Sequence, residues 1–119
     1  MQQSAGTTYS AIVGQILAIE REKAGYSQGV FAENMNISQA TWSRIEKGSS
    51  GLSIEQLAQA ARLLGTNPAE LLQLADSVVE DLCNKNMRVE TTRKQGSNAG
   101  LLLLGGAAIA ALVLAARNK

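Results

Sequence analysis

Gln39, Thr41, Ser43 and Arg44 gather an amide, two hydroxyls and a guanidinium into the single short run QATWSRIEK that follows Ser38. Trp42 and Ile45 stand three apart within that run and claim the apolar face of a helix, so the polar groups share the outside, with Ala40 beside them. These groups suit hydrogen-bonded recognition. A glutamine amide matches adenine at N6 and N7, and an arginine fork matches guanine at O6 and N7, each with about 1–3 kcal/mol of discrimination. Covalent chemistry is poorly supplied. With no His and one Cys there is no zinc cluster, no Cys–His or Ser–His pair and no disulfide framework within the chain. Cys83 is read as a small apolar filler. No set of acid, base, nucleophile or metal ligands stands out, so neither an enzyme activity nor a cofactor is expected.

The elements that must position these residues are helical. The 119 residues allow one compact domain with appendages. Five helical segments are predicted between Ala11 and Ala75, with no competing strand pattern. Ile12, Val13, Ile16, Leu17 and Ile19 stripe the first, which ends at Ala24-Gly25. Ser27 caps a short second helix that turns Phe31, Ala32 and Met35 inward. Asn36 occupies the left-handed turn position, and Ser38 caps the third helix, which stops at Gly48. Ser53-Ile54-Glu55-Gln56 is a capping box opening the fourth, with Ile54, Leu57, Ala58, Ala61 and Leu64 expected inward. Asn67-Pro68 opens the fifth, and Val78, Val79, Leu82 and Cys83 extend its stripe to about Asn86. Only Tyr9, Tyr26, Phe31 and Trp42 are aromatic, so the core is mainly aliphatic, and Trp42 belongs to it.

Two helices joined by a tight turn, the second with a polar outer face, have the layout of a helix-turn-helix. Its second helix enters the DNA major groove while the first crosses the backbone. Ser27-Gln28 opens helix two, Ala32 lies within it, Ser38-Gln39 opens helix three and Ser43-Arg44-Ile45-Glu46-Lys47-Gly48 closes it. In these marks the chain resembles the five-helix DNA-binding domain of the Cro/C1-type (XRE) repressor family over roughly residues 12–75. The resemblance implies that Gln28 contacts a phosphate and helps orient helix three. It also implies that Gln39 and Ala40 face base edges, that Ser43 and Arg44 reach bases or phosphates one turn further on, and that Ser38 and Thr41 sit at phosphates. The chain departs from the family at Gly29-Val30, where polar residues are usual, and at Leu52, where proline is common.

Charge divides the chain. Residues 1–76 carry five basic and seven acidic side chains, a balance of −2, whereas residues 77–119 carry six basic and three acidic, a balance of +3. Non-specific DNA affinity, which comes from Lys and Arg at phosphates, is therefore expected to be modest. Ala99–Ala116 is an uninterrupted apolar run. As a helix it would measure about 27 Å against a hydrocarbon core of about 30 Å, so a single transmembrane helix is expected there. The alternative is a buried apolar helix in an oligomer. Lys85, Arg88, Arg93 and Lys94 precede the run and only Arg117 and Lys119 follow it, which places the N-terminal domain in the cytoplasm. Gly106/Ala110 and Ala107/Ala111 put small residues four apart, a weak pointer to helix pairing.

The expected organisation is a flexible N-terminus at 1–10, a helix-turn-helix domain at 11–76, a helical extension and polar linker at 77–98, the transmembrane helix at 99–116 and a short tail at 117–119. The fold class is all-α. The expected activity is that of an inner-membrane-anchored, single-pass regulator, homodimeric, binding double-stranded DNA through helix three (Ser38–Lys47). A second class is a membrane-anchored scaffold that holds a protein partner with the same domain. The chain resembles in domain order the RodZ-like proteins that organise the cell-shape cytoskeleton. An antitoxin or phage-type regulator would share the DNA activity.

Overall fold

The Thr8 hydroxyl accepts from the backbone amide of Ala11 at 3.0 Å and so starts the first helix. Strand β1 (Ser4–Thr8) runs directly into helix α1 (Tyr9–Lys23) at this cap. The computed structural model describes residues 4–91, 101–102 and 106–117. Residues 1–3 of the expected N-terminus, part of the expected linker, residues 99–100 and 103–105 of the expected membrane span and the end of the tail lie outside the described residues.

Helices α2 (Gln28–Asn34), α3 (Gln39–Lys47), α4 (Ile54–Leu63) and α5 (Pro68–Asn84) follow the capping residues in the sequence. Ser27, Ser38, Ser53 and Asn67 each accept a backbone amide three residues on. Ser53 and Gln56 complete the reciprocal box, the Gln56 carbonyl accepting from the Ser53 amide at 2.8 Å. Asn36 adopts φ 60°, and the Ile37 amide reaches back to the Ala32 carbonyl at 3.1 Å, closing the turn between α2 and α3. The core draws on all five of these helices, α1 to α5. Ile12, Ile16, Leu17, Phe31, Trp42 and Val78 are fully buried within it. Phe31 packs between Tyr26, edge-on at 5.4 Å, and Trp42, tilted at 4.7 Å. Ile54, expected inward, is 84% exposed. It lies on the same face as the buried Ala61 but two turns away, in the first turn of α4.

Three short strands join the helices. β2 (Arg88–Glu90) and β3 (Leu101–Leu102) flank β1 in the order β2-β1-β3, both pairings parallel. Gly6 lies opposite Arg88 and Ser4 opposite Leu101. The all-α expectation is thus corrected to a mostly helical fold with a small parallel sheet. The strands SAGTT, RVE and LL are too short to show alternation, and parallel pairing joins segments far apart in the chain, so no local pattern announces it.

The expected transmembrane helix at Ala99–Ala116, and the inner-membrane location drawn from it, are also corrected. Among the described residues no helix is long and apolar enough to cross a membrane. Leu101–Leu102 is extended and paired with β1, and among the described residues of the run the helix is Gly106–Arg117, α6. Its 12 residues measure about 18 Å, well short of the about 30 Å of a hydrocarbon core. Instead α6 packs on α5 and α1, and Val113 is fully buried in the common core. The extension of α5, where Val78 and Leu82 are buried, enlarges the core that Val113 joins.

Candidate nucleic-acid interface

Helix α3 is held from below by close backbone packing. A Cβ built on Gly14 of α1 would stand 2.2 Å from the Ile45 carbonyl oxygen and 2.7 Å from that of Glu46, so α1 and α3 approach as only glycine permits. The Gln15 amide donates to the Glu46 carbonyl at 3.0 Å, satisfying a carbonyl in the last turn of α3. Gly48 ends the helix at φ 80°, and a Cβ there would lie 2.5 Å from Ala11 Cα.

The inner face also carries a buried polar cluster. Glu46 is 4% exposed. Its carboxylate accepts from Arg21 Nε at 2.6 Å and Arg21 Nη2 at 3.2 Å, from Trp42 Nε1 at 2.7 Å and from Gln28 Nε2 at 2.7 Å. Arg21 Nη1 donates in turn to the Tyr26 carbonyl at 2.7 Å. A buried ion pair tolerates its desolvation only when its remaining donors and acceptors are satisfied, and these are. Glu46 therefore belongs to the buried cluster around Arg21.

With Trp42, Ile45 and Glu46 buried, the outer face of α3 presents Gln39, Ala40 and Arg44 exposed, with Thr41 and Ser43 half-buried. Ser38, exposed at the cap, donates its hydroxyl to Thr41 Oγ1 at 2.9 Å, and Arg44 Nη2 donates to the same oxygen at 3.3 Å. The three side chains form a connected polar edge, and among the described residues Arg44 makes no ion pair. Gln39 lies over Gly29 of α2, where a Cβ would meet its amide oxygen at 3.5 Å. That is an ordinary van der Waals distance, so Gly29, which departs from the family pattern, is not needed to make room for Gln39. Six of the seven residues singled out from the sequence thus share the start and outer face of α3. Gln28 stands apart, half-buried at the start of α2, with its amide engaged by Glu46.

Lys47 was not singled out, yet it is exposed one turn beyond Ser43 and Arg44. Its spacing from those residues was the available signal. Among the described residues there is no group of His, Cys, Asp and Glu able to hold a metal ion.

Comparison with known proteins agrees with this geometry. The family described as "Helix-turn-helix domain" matches residues 12–74. A crystal structure of the clp gene regulator ClgR from Corynebacterium glutamicum is similar at a TM-score of 0.62 and 24% identity, over 66% of this chain and 83% of that one. A second ClgR structure, from C. glutamicum, is similar at a TM-score of 0.54 and 28% identity, over 57% of this chain and 88% of that one. No curated protein matches the chain.

Proposed function

The chain belongs to the helix-turn-helix domain family, and from that premise we propose that it is a DNA-binding transcriptional regulator that reads the major groove with α3. One observation carries the reading. The buried face of α3 is locked to α1, while its outer face offers Gln39, Arg44 and their neighbouring hydroxyls to a partner. A rigid helix with a preformed donor and acceptor edge is what base readout requires. The similar ClgR structures are described as those of a gene regulator, which supports a regulatory role here.

In this proposal Gln39 and Ala40 meet base edges first, since residues at the start of a recognition helix lie deepest in the groove. The Gln39 amide suits adenine, and the Ala40 methyl suits the thymine methyl. Ser43 and Arg44 follow one turn on. Ser38, Thr41 and Gln28 hold phosphates together with the free amides at the start of α3, and Lys47 extends the positive edge. The chain acts as a homodimer on half-sites about 34 Å apart, one helical turn of DNA. Its role is recognition, with no catalytic step.

The test is selection of bound sequences from a random duplex pool at two salt concentrations, using the whole chain beside Gln39→Ala and Arg44→Ala. Enrichment of one short sequence, lost in both variants, is the expected result. Failure to enrich any sequence at low salt would overturn the proposal. The −2 balance of residues 1–76 would then favour a protein partner on the same face.

A further inference from the structure

Glu46 does more than fill a buried pocket. Its carboxylate ties the recognition helix to the start of α2, through Trp42 and Gln28 respectively. We propose that Glu46 is a positioning residue for DNA affinity, acting by fixing which end of the Gln28 amide is presented to a phosphate. The proposal rests on the DNA reading above.

A carboxylate only accepts hydrogen bonds, so it dictates the orientation of any amide that contacts it. At 2.7 Å from Glu46 Oε1, Gln28 must place its nitrogen there, because its carbonyl oxygen would be repelled. The ion pair with Arg21 holds that carboxylate at two of its contacts, so it is not free to swing away. An amide nitrogen carries two hydrogens. One is used by Glu46, and among the described residues no other protein group is bonded to the Gln28 side-chain amide. The second N–H is the donor left for a ligand. Phosphate oxygens also only accept, so an amide presenting its oxygen would oppose binding, and one presenting its nitrogen assists it. Gln28 is half-buried and sits on the first residue of α2, the helix that crosses the DNA backbone in this motif. The buried Arg21–Glu46 pair thereby selects a phosphate-donating state of Gln28 before DNA arrives, and removes the cost of ordering that side chain on binding.

Simple electrostatics gives the opposite sign for the decisive variant. Glu46→Gln removes a negative charge, which by itself raises affinity for a polyanion. A neutral amide at 46 also lets Gln28 flip, which lowers affinity if the proposal holds.

The experiment measures Kd for a short random-sequence duplex with the whole chain, Gln28→Ala, Glu46→Gln and the double variant, across a salt series. Gln28→Ala is expected to weaken binding about three- to tenfold, the value of one net hydrogen bond. Its salt slope should be unchanged, because no charge is lost. Glu46→Gln should also weaken binding, and should cease to do so in the Gln28→Ala background. Tighter binding by Glu46→Gln, or an equal loss in both backgrounds, overturns the proposal. Trp42 fluorescence verifies folding of each variant. Should Glu46→Gln not fold, the unaltered chain supplies the readout through heteronuclear NMR of the Gln28 side-chain amide. One N–H is expected to stay bonded at Glu46 while the other shifts on addition of duplex, and no shift of the second N–H overturns the proposal. Absence of any binding by the unaltered chain would overturn the DNA reading itself. In that case the Glu46-bonded N–H, seen without DNA, would still mark the cluster as intact.

Discussion

Gly14→Ala reverses the ordinary rule for glycine in a helix. Alanine at an unencumbered helical position is worth about 1 kcal/mol over glycine, so propensity alone predicts stabilisation. The added Cβ would, however, lie 2.2 Å from the Ile45 oxygen, 2.7 Å from the Glu46 oxygen and 3.0 Å from the Glu46 carbonyl carbon. These are backbone atoms and have no rotamer to escape into. Carbon–oxygen contacts relax to about 3.3 Å, so α1 and α3 must part by about 1 Å. A gap of that size forfeits roughly a quarter to a half of the dispersion energy at each contact across the interface. It also stretches the Gln15–Glu46 bond and the Arg21–Glu46 pair, at 3.0 Å and 2.6 Å. Overpacking costs about 3 kcal/mol at the upper end of its usual range. Set against the propensity gain, the net loss is about 2 kcal/mol, or a melting temperature lower by roughly 8–16 °C in a domain of this size. Gly29→Ala is the internal control, because its Cβ would meet only the Gln39 side chain, at 3.5 Å and 3.9 Å. It should be neutral or gain up to about 1 kcal/mol. Thermal and urea unfolding of the two variants beside the unaltered chain, followed by circular dichroism, measures both. A Gly14→Ala melting temperature equal to or above that of the unaltered chain would refute the close approach of α1 and α3.

Other consequences follow from single contacts. Val113→Ala should cost about 2 kcal/mol, because Val113 of α6 is fully buried, and an unchanged urea midpoint would mean that α6 is not packed in the core. Burial first, then the hydrogen bond to Asp76 and its charge, pushes the Tyr9 phenol up to about 12. Since this folded value lies above the unfolded value of about 10, its stabilisation is complete below about pH 10 and is lost as pH rises towards about 12. Ultraviolet tyrosinate titration beside Tyr9→Phe should show one transition near pH 12 that the variant lacks; a Tyr9 transition at the ordinary value would contradict the Asp76 contact. Asn36→Ala, at φ 60°, should cost about 1 kcal/mol by forcing an ordinary side chain into the left-handed region, as urea unfolding would show.

Much of the recognition unit was legible because its signals are local. Ser27, Ser38, Ser53 and Asn67 cap helices through bonds that span three residues, and Asn36 meets a backbone demand of its own position. The polar face of α3 likewise follows from helical spacing around Trp42 and Ile45. The internal partners of the candidate site were not legible. Glu46 and Arg21 lie 25 residues apart, and Gln28 looks like a free surface amide until α3 brings a carboxylate beside it. The role of Gly14 depends on a backbone surface supplied by another helix.

The clearest division falls in the last third of the chain. Residue types alone make Ala99–Ala116 too apolar for water as an isolated helix, because each aliphatic side chain left exposed forgoes its burial energy. They leave open what covers the run. Long-range packing settles part of that: Leu101–Leu102 pairs with β1, and α6 seats against α5 and α1, which buries Val113 and leaves Leu114 57% exposed. Hydrophobicity is a property of residues, whereas the surface that satisfies it is a property of the assembled chain. The hydrophobic effect is non-directional, so the same apolar run fits a bilayer or a protein core, and the choice rests on contacts between segments far apart in the sequence.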